Sequence, residues 1–461
     1  MHITTHLPGN DLRLRSVVAS SQVPSGLVIS KEGQERDRRL DGHERLSYEF
    51  GGRRHHDWIP SLDVFNNLWN CLWFYDGRLE HPTSIDDIQP SLRRMWEDVR
   101  VKVYSGSSFF QLFLAQVITG FQQEGLPVPS LGYKTLVYNC NGNLTLYVTL
   151  VTSAILHTKG IFRSTGIIEN YGHLMTVSMI YGFGVSFGVY FWAVATGNAM
   201  RMSGNTLYDV FMGACLNPRI GRIDLKMWAE VRVPWLIEFY TAVSGGCQQY
   251  EKYGYVTPDM AFMILATGLY LNACAKGEEC IPQTWDMYHE KWGFMSFSGI
   301  SLASHSLTFI ASCIWHPTIR VQWSTPAYVL IYTAFLSAYY IWDTSMAQKS
   351  HFKMQTQGIT KFRKTFPQLP WNTIQNPTFI QTAHGNRLLM GGWWAYSRKP
   401  TGLWGAIIGR CSIIPYFYSV FFIVVLIHRC SRDFERCSKK YEKDWDRHRE
   451  VVPYRFIPCV Y

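Results

Sequence analysis

The sequence predicts an all-α polytopic membrane protein, a bundle of about eight to ten transmembrane helices. Three observations lead there. Hydrophobic residues fill 47% of the 461 positions and aromatics 15%, yet mean hydropathy is only −0.06, because uncharged runs are segregated from basic connecting segments. Segregation of this kind is the pattern of spans and their loops. The charges, 44 Lys plus Arg against 34 Asp plus Glu for a net +10, sit at the termini and between the apolar runs. That placement suits loops beside an anionic leaflet and argues against a nucleic-acid groove-binding face. The eleven cysteines contain no C-x-x-C pair and no regular framework, so they read as buried small hydrophobes in a reducing compartment, with no metal site.

In chain order, residues 1–48 are polar and charge-rich (KEGQERDRRLDGHERL) and read as a mobile cytosolic tail, without the apolar core of a signal peptide. Between Arg53 and Asn70 a first span would carry Arg53, Arg54, His55, His56 and Asp57. A charge near the centre of a span costs about 2.5–3.5 kcal/mol, so this span is weak or absent. The His55–His56 pair lacks a third ligand nearby and is not read as a metal site. Ser107–Phe121 is the first full candidate, Asn143–His157 the second, and Leu174–Met200 the longest uncharged run. Its GFGVSFG has the wrong spacing for a dinucleotide fingerprint and follows no strand; the small residues suit close helix approach. Tyr208–Trp235 is a loop and helix start. Val233–Val243 is apolar but holds Glu238, either a functional ionisable group at membrane depth or a boundary residue. Met260–Ala275, Phe294–Trp315 and Thr325–Trp342 are further spans, and Cys411–Ile427, seventeen residues without a charge, is the last.

Two patterns carry chemistry. Glu278, Glu279, Asp286 and Glu290 lie among Trp285, Tyr288 and Trp292 just after the Met260 span. Loop carboxylates are ordinarily solvated; beside an apolar cavity, desolvation raises their pKa and makes them proton donors, with Trp285 and Tyr288 as pocket aromatics. Past His428 the sequence has no Gly or Pro before Trp445. A helix continued through it sets Arg429, Asp433, Cys437 and Tyr441 four apart on one face. Solvated helices show such spacing too.

The strings LLMGGWWAYSRKP (Leu388–Pro400) and IPYFYSVFFIVVLIHRCSRDFERCSKKYEKDWDRHREVVPYRFIP (Ile414–Pro458) resemble the C-terminal signature of the membrane sterol reductase family. That family includes 7-dehydrocholesterol reductases, sterol C14 reductases and the lamin B receptor. YKTLVYNCNG (Tyr133–Gly142), Tyr208–Trp235 with Asn217-Pro218-Arg219, and Leu271–Met295 resemble its fungal C24(28) branch, which acts last in ergosterol synthesis. The resemblance implies NADPH-dependent reduction of a sterol carbon–carbon double bond by a multi-pass protein of the endoplasmic reticulum. It implies a reductase domain over residues 49–461, whose part 343–461 forms the NADPH site. It assigns cofactor contacts to Lys349, Lys353, Leu389, Trp394, Arg429, Asp433, Cys437 and Tyr441. Expected partners are the sterol, membrane lipid and other ergosterol-pathway enzymes. Arg398 and Lys399 read as interfacial snorkelling residues. After Pro400 the sequence departs from the family: TGLWGAIIGRCS is about one helix shorter, and Thr401 stands where relatives carry a cofactor-contacting Asn. A C14 or C7 reductase, and a catalytically impaired sterol-binding or scaffold member of the same fold, are the alternatives.

Overall fold

In the computed structural model, the structure describes residues 74–75, 78–79, 99–128, 131–294, 324–356, 358, 368–383, 385–398 and 413–455. The tail at 1–48, the charged segment 53–70, the Phe294–Trp315 span and the short segment after Pro400 lie outside them, Phe294 itself excepted.

The chain is mostly helical. Among the described residues, four two-stranded antiparallel pairs punctuate the helices: β1 (Phe74–Tyr75) with β2 (Arg78–Leu79), β3 (Phe121–Glu124) with β4 (Val137–Cys140), β5 (Arg219–Ile220) with β6 (Ile223–Asp224), and β7 (Phe379–Gln381) with β8 (Arg387–Leu389). The helices are α1 (Val99–Val117), α2 (Gly142–Thr158), α3 (Gly166–Glu169), α4 (Tyr171–Ala195), α5 (Thr206–Met212), α6 (Leu225–Tyr253), α7 (Pro258–Lys276), α8 (Trp285–Tyr288), α9 (Thr325–Thr356) and α10 (Ile413–Val451). Single 3₁₀ stretches cover Gly277–Gln283 and Gly392–Ala395.

Several expected spans coincide with helices and others shift. Asn143–His157 becomes α2, and Met260–Ala275 becomes α7. The Ser107–Phe121 estimate is corrected at both ends: α1 starts at Val99 and stops at Val117, and Phe121 opens a strand paired with Cys140. The turn at Gly120 is the reason, since a Cβ there would lie 2.3 Å from the Cys140 carbonyl oxygen. Leu174–Met200 is cut at Ala195. The Val233–Val243 run is the middle of the 29-residue α6, which tolerates Pro234 inside it. Thr325–Trp342 is extended to Thr356, and the helix foreseen past His428 does run on, to Val451.

Local chemistry sets these boundaries. The Asp224 carboxylate accepts from the Met227 amide at 3.1 Å and caps α6. Gly254, at φ 73°, closes its other end in the left-handed region. Thr257 then caps α7 with Pro258 at its first turn, so α6 and α7 fold into an antiparallel pair. The core follows the pair: Ala242, Met260, Met263 and Ala266 pack with Phe335 of α9 and with Ile168 and Tyr171. Leu236, Leu271 and Ala275 pack with Leu146 of α2.

One described helical stretch, Pro258–Gln283, is both long and apolar enough to cross a bilayer by length and composition. Other helices point large apolar side chains outward: Phe109 and Phe113 on α1, Val151 and Ile155 on α2, Phe191 on α4, and Val329 and Leu330 on α9 are all more than half exposed.

Candidate functional site

The acid-rich turn after α7 is held by cations of distant segments. Glu278 is fully buried; its Oε2 accepts from the Gly142 amide at 2.5 Å and its Oε1 lies 3.0 Å from the Arg232 guanidinium. Arg232 also donates to Asn141 Oδ1, and Asn141 donates to the Ala115 and Ile118 carbonyls at 2.9 and 2.6 Å. One ionic node thus joins the end of α1, the start of α2, α6 and the turn. Glu279 is buried beside it. Asp286 and Glu290 are half-buried, and their backbone carbonyls both accept from Lys226 Nζ, the latter at 2.7 Å. Lys226 is 1% exposed, and burial pushes its pKa down against the pull of Glu230, Asp286, Asp224 and Glu290. Tyr288 is half-buried; the Trp285 side chain lies outside the described residues.

The same loop is gripped from α5's approach. Arg201 donates to the His289 carbonyl and stands 3.0 Å from its Nε2. Burial first, then the charges of Arg201, Arg436 and Lys226, hold His289 down at about 3. Lys291 donates to the Arg201 carbonyl at 3.1 Å and is lowered to about 8 by burial. Gly213, at φ 89°, faces Trp292, whose carbonyl oxygen would lie 2.2 Å from an added Cβ. No larger residue fits that crossing.

The expected cofactor residues divide into two groups. Leu389 and Trp394 are buried together with Phe352, and Lys349 Nζ lies 4.4 Å from the Trp394 ring centre, a cation–π contact. Trp394 Nε1 donates to the Ser345 carbonyl at 2.9 Å and Trp393 Nε1 to Thr344 Oγ1 at 2.8 Å. Gln348, fully buried, accepts from the Trp393 amide at 3.0 Å and donates to the Trp371 carbonyl at 2.8 Å. Lys353 is exposed on the same helix. Asp433, Cys437 and Tyr441 are half-buried on one face of α10, with Arg429 at the matching backbone position and its side chain outside the described residues. That face ends where the helix does its turning: Glu442, at φ 45° and ψ −117°, kinks α10 immediately after Tyr441.

Beyond the kink the chain returns to the first group. Asp444 accepts from the Ala383 amide at 2.8 Å, and the buried His448 hydrogen-bonds the Leu389 backbone. Arg398, expected to snorkel, is instead 9% exposed and donates to the Pro453 carbonyl at 2.9 Å while lying over the Phe434 ring at 5.0 Å. The reason is that these late carbonyls sit within its reach. Gln348, Lys226, Arg232 and Arg398 are the residues whose roles sequence reasoning missed. Among the described residues no three His, Cys, Asp or Glu side chains gather as metal ligands.

Residues 46–461 match the model of the Ergosterol biosynthesis ERG4/ERG24 family. The chain belongs to that family. It is 40% identical to the Delta(24(24(1)))-sterol reductase erg4A of Aspergillus fumigatus, covering 94% of this chain and 97% of the relative. It is 40% identical to the Delta(24(24(1)))-sterol reductase of Gibberella zeae over 75% of this chain and 59% of that protein. To the Delta(14)-sterol reductase of Methylotuvimicrobium alcaliphilum it is 29% identical, over 93% of this chain and all of the relative. The family alignment thus contains both the acid-rich turn and the Trp394 cluster, and stops short only of the tail.

Proposed function

We propose that this protein is an NADPH-dependent sterol reductase acting on the C24(28) double bond, the last reduction of ergosterol synthesis. What carries the reading is the similarity to a Delta(24(24(1)))-sterol reductase along 94% of the chain. The outward apolar residues of α1, α2, α4 and α9 support a multi-pass bundle of about eight to ten helices in the endoplasmic reticulum. Residues 49–461 form the reductase domain, with 343–461 supplying the cofactor site and 1–48 a cytosolic tail.

The residues present suit a dinucleotide bearing a 2′-phosphate: a buried indole and leucine offer apolar faces, Lys349 sets a cation over the indole, and Lys353 follows one turn later on α9. Lys349, Lys353, Leu389, Trp394, Arg429, Asp433, Cys437 and Tyr441 would hold it. When bound, NADPH supplies a hydride. An isolated alkene has no carbonyl to polarise, so the protein must deliver a proton as well. Protonating the terminal methylene leaves positive charge on tertiary C24, which aromatic walls stabilise. Glu278, Glu279, Asp286 and Glu290, in the acid-rich stretch after α7, are candidate donors, with Trp285 and Tyr288 as wall residues. Of these, Glu278 is engaged on both oxygens, which favours a structural part for it.

The shortened segment after Pro400 favours a second reading, a sterol-binding scaffold without turnover. Sterol profiling of a fungal strain lacking its C24(28) reductase separates the two. Expression of this chain restores ergosterol if it is a reductase. A membrane-resident chain that leaves the 24(28)-unsaturated sterol in place refutes the enzyme and favours the scaffold.

A further inference from the structure

A second buried ion pair, distinct from the Glu278–Arg232 pair, joins the end of α7 to α9. Lys276, the last residue of α7, places Nζ 2.7 Å from each carboxylate oxygen of Asp343 on α9. Both side chains are about nine-tenths buried, 11% and 8% exposed. One turn earlier on the same face of α9 stands buried Tyr339, within electrostatic reach of Asp343, of Cys274 on α7 and of Tyr147 on α2. Tyr147 in turn donates to Asn272 at 2.9 Å. Next to the pair the rings of Trp235, Tyr270 and Trp342 form a wall, with centroids 4.5 and 5.6 Å apart in succession. On the other side, the two residues after Asp343 receive the indole N–H groups of Trp393 and Trp394. Asp343 therefore sits between an aromatic wall and the cluster holding Lys349, about 9 Å along the helix axis from the latter.

Stability does not account for this arrangement. A buried ion pair contributes little beyond what an apolar pair of the same volume would, because desolvation offsets the Coulomb attraction. An ionisable pair kept from water where two apolar helical runs end is a candidate for function.

We propose that Lys276 and Asp343 are the couple that supplies the proton for alkene reduction, an inference resting on the sterol reductase reading above. The Lys276 ammonium passes a proton to the Asp343 carboxylate. The carboxyl O–H bond then breaks as the alkene π pair forms a C–H bond at the terminal methylene carbon. The second C–H bond, at the neighbouring carbon, takes its hydride from the reduced nicotinamide, which is oxidised by two electrons. Lys276 regains its proton from water through the polar turn Gly277–Gln283. One proton and one hydride are added, and the pair returns to its starting charges.

The test uses the full chain in lipid nanodiscs with wild type, Asp343→Asn, Asp343→Glu, Lys276→Met and the charge-swapped Lys276→Asp/Asp343→Lys double variant. Three quantities are read: turnover of the 24(28)-unsaturated sterol, NADPH affinity by fluorescence titration, and melting temperature. Asp343→Asn and Lys276→Met are expected to lose about 10²-fold or more in turnover. Their NADPH affinity should stay within about threefold of wild type. The swapped pair should regain the wild-type melting temperature without regaining turnover. Should Asp343→Asn not accumulate, Asp343→Glu, which keeps the carboxylate, is expected to retain measurable turnover while the swap has none. Turnover by Asp343→Asn within about tenfold of wild type, or recovery by the swap, shows a structural pair and overturns the proposal while the reductase reading stands. A wild type that reduces no sterol overturns both.

Discussion

Replacing Arg232 by leucine tests the node around Glu278. In the folded chain the Glu278 carboxylate, with no solvent exposure, has the Arg232 guanidinium 3.0 Å from one oxygen and the Gly142 amide 2.5 Å from the other. Removing Arg232 strands a buried anion on a single hydrogen bond, which costs about 3–5 kcal/mol. Replacing both side chains, as Arg232→Leu/Glu278→Leu, removes the anion as well and orphans mainly the Gly142 N–H, a cost of about 1–3 kcal/mol. The double variant should therefore be more stable than Arg232→Leu alone by roughly 2 kcal/mol, the difference between those figures. Denaturant titration in mixed micelles, followed by tryptophan fluorescence, measures the cycle. A double variant that loses the full sum of the two single losses would refute the reasoning, since independent sites add.

Lys226→Met should leave overall stability nearly unchanged, because it removes a buried ammonium along with its two hydrogen bonds, yet loosen the loop it holds. Hydrogen exchange over residues 285–290 is then expected to accelerate about tenfold or more, and unchanged protection would count against the clamp. His289 stays neutral in the fold down to about pH 3, whereas the unfolded chain takes up its proton near 6.5. Its pKa is depressed on folding, so its contribution is present above about 6.5 and lost as pH falls toward 3. Melting temperatures across that window should fall less steeply for His289→Gln than for wild type. Gly213→Ala forces a Cβ to 2.2 Å from the Trp292 carbonyl at φ 89°, and should cost about 3 kcal/mol or more, visible as lost membrane accumulation.

Apolar runs told where helices are but not where they stop. α2 and α7 are legible as apolar runs, and each helix extends only one or two residues beyond its run at either end, to Gly142–Thr158 and Pro258–Lys276. α1 was misjudged because its first turns mix Arg100 and Lys102 with valines, and its end is fixed by the strand pairing of Phe121 with Cys140, 19 positions on. α9 outran its apolar run because the polar turns from Asp343 to Thr356 are packed against the Trp393–Trp394 segment. Of the site, the fourfold spacing on α10 and the acid-rich turn were visible as patterns. The cations that hold the turn were not, because Lys226 meets the Asp286 carbonyl across 60 positions and nothing local in either segment calls for the other.

The return of the chain beyond Glu442 has a bearing on biogenesis. Arg398 is bonded to the Tyr454 carbonyl across 56 positions, so this contact is still open when the segment around Trp394 has left the ribosome. It can close only after the Pro453–Tyr454 strap has emerged. A stop codon anywhere between the two would yield a protein with the Trp394 segment complete but Arg398 left without the two carbonyls that hold it.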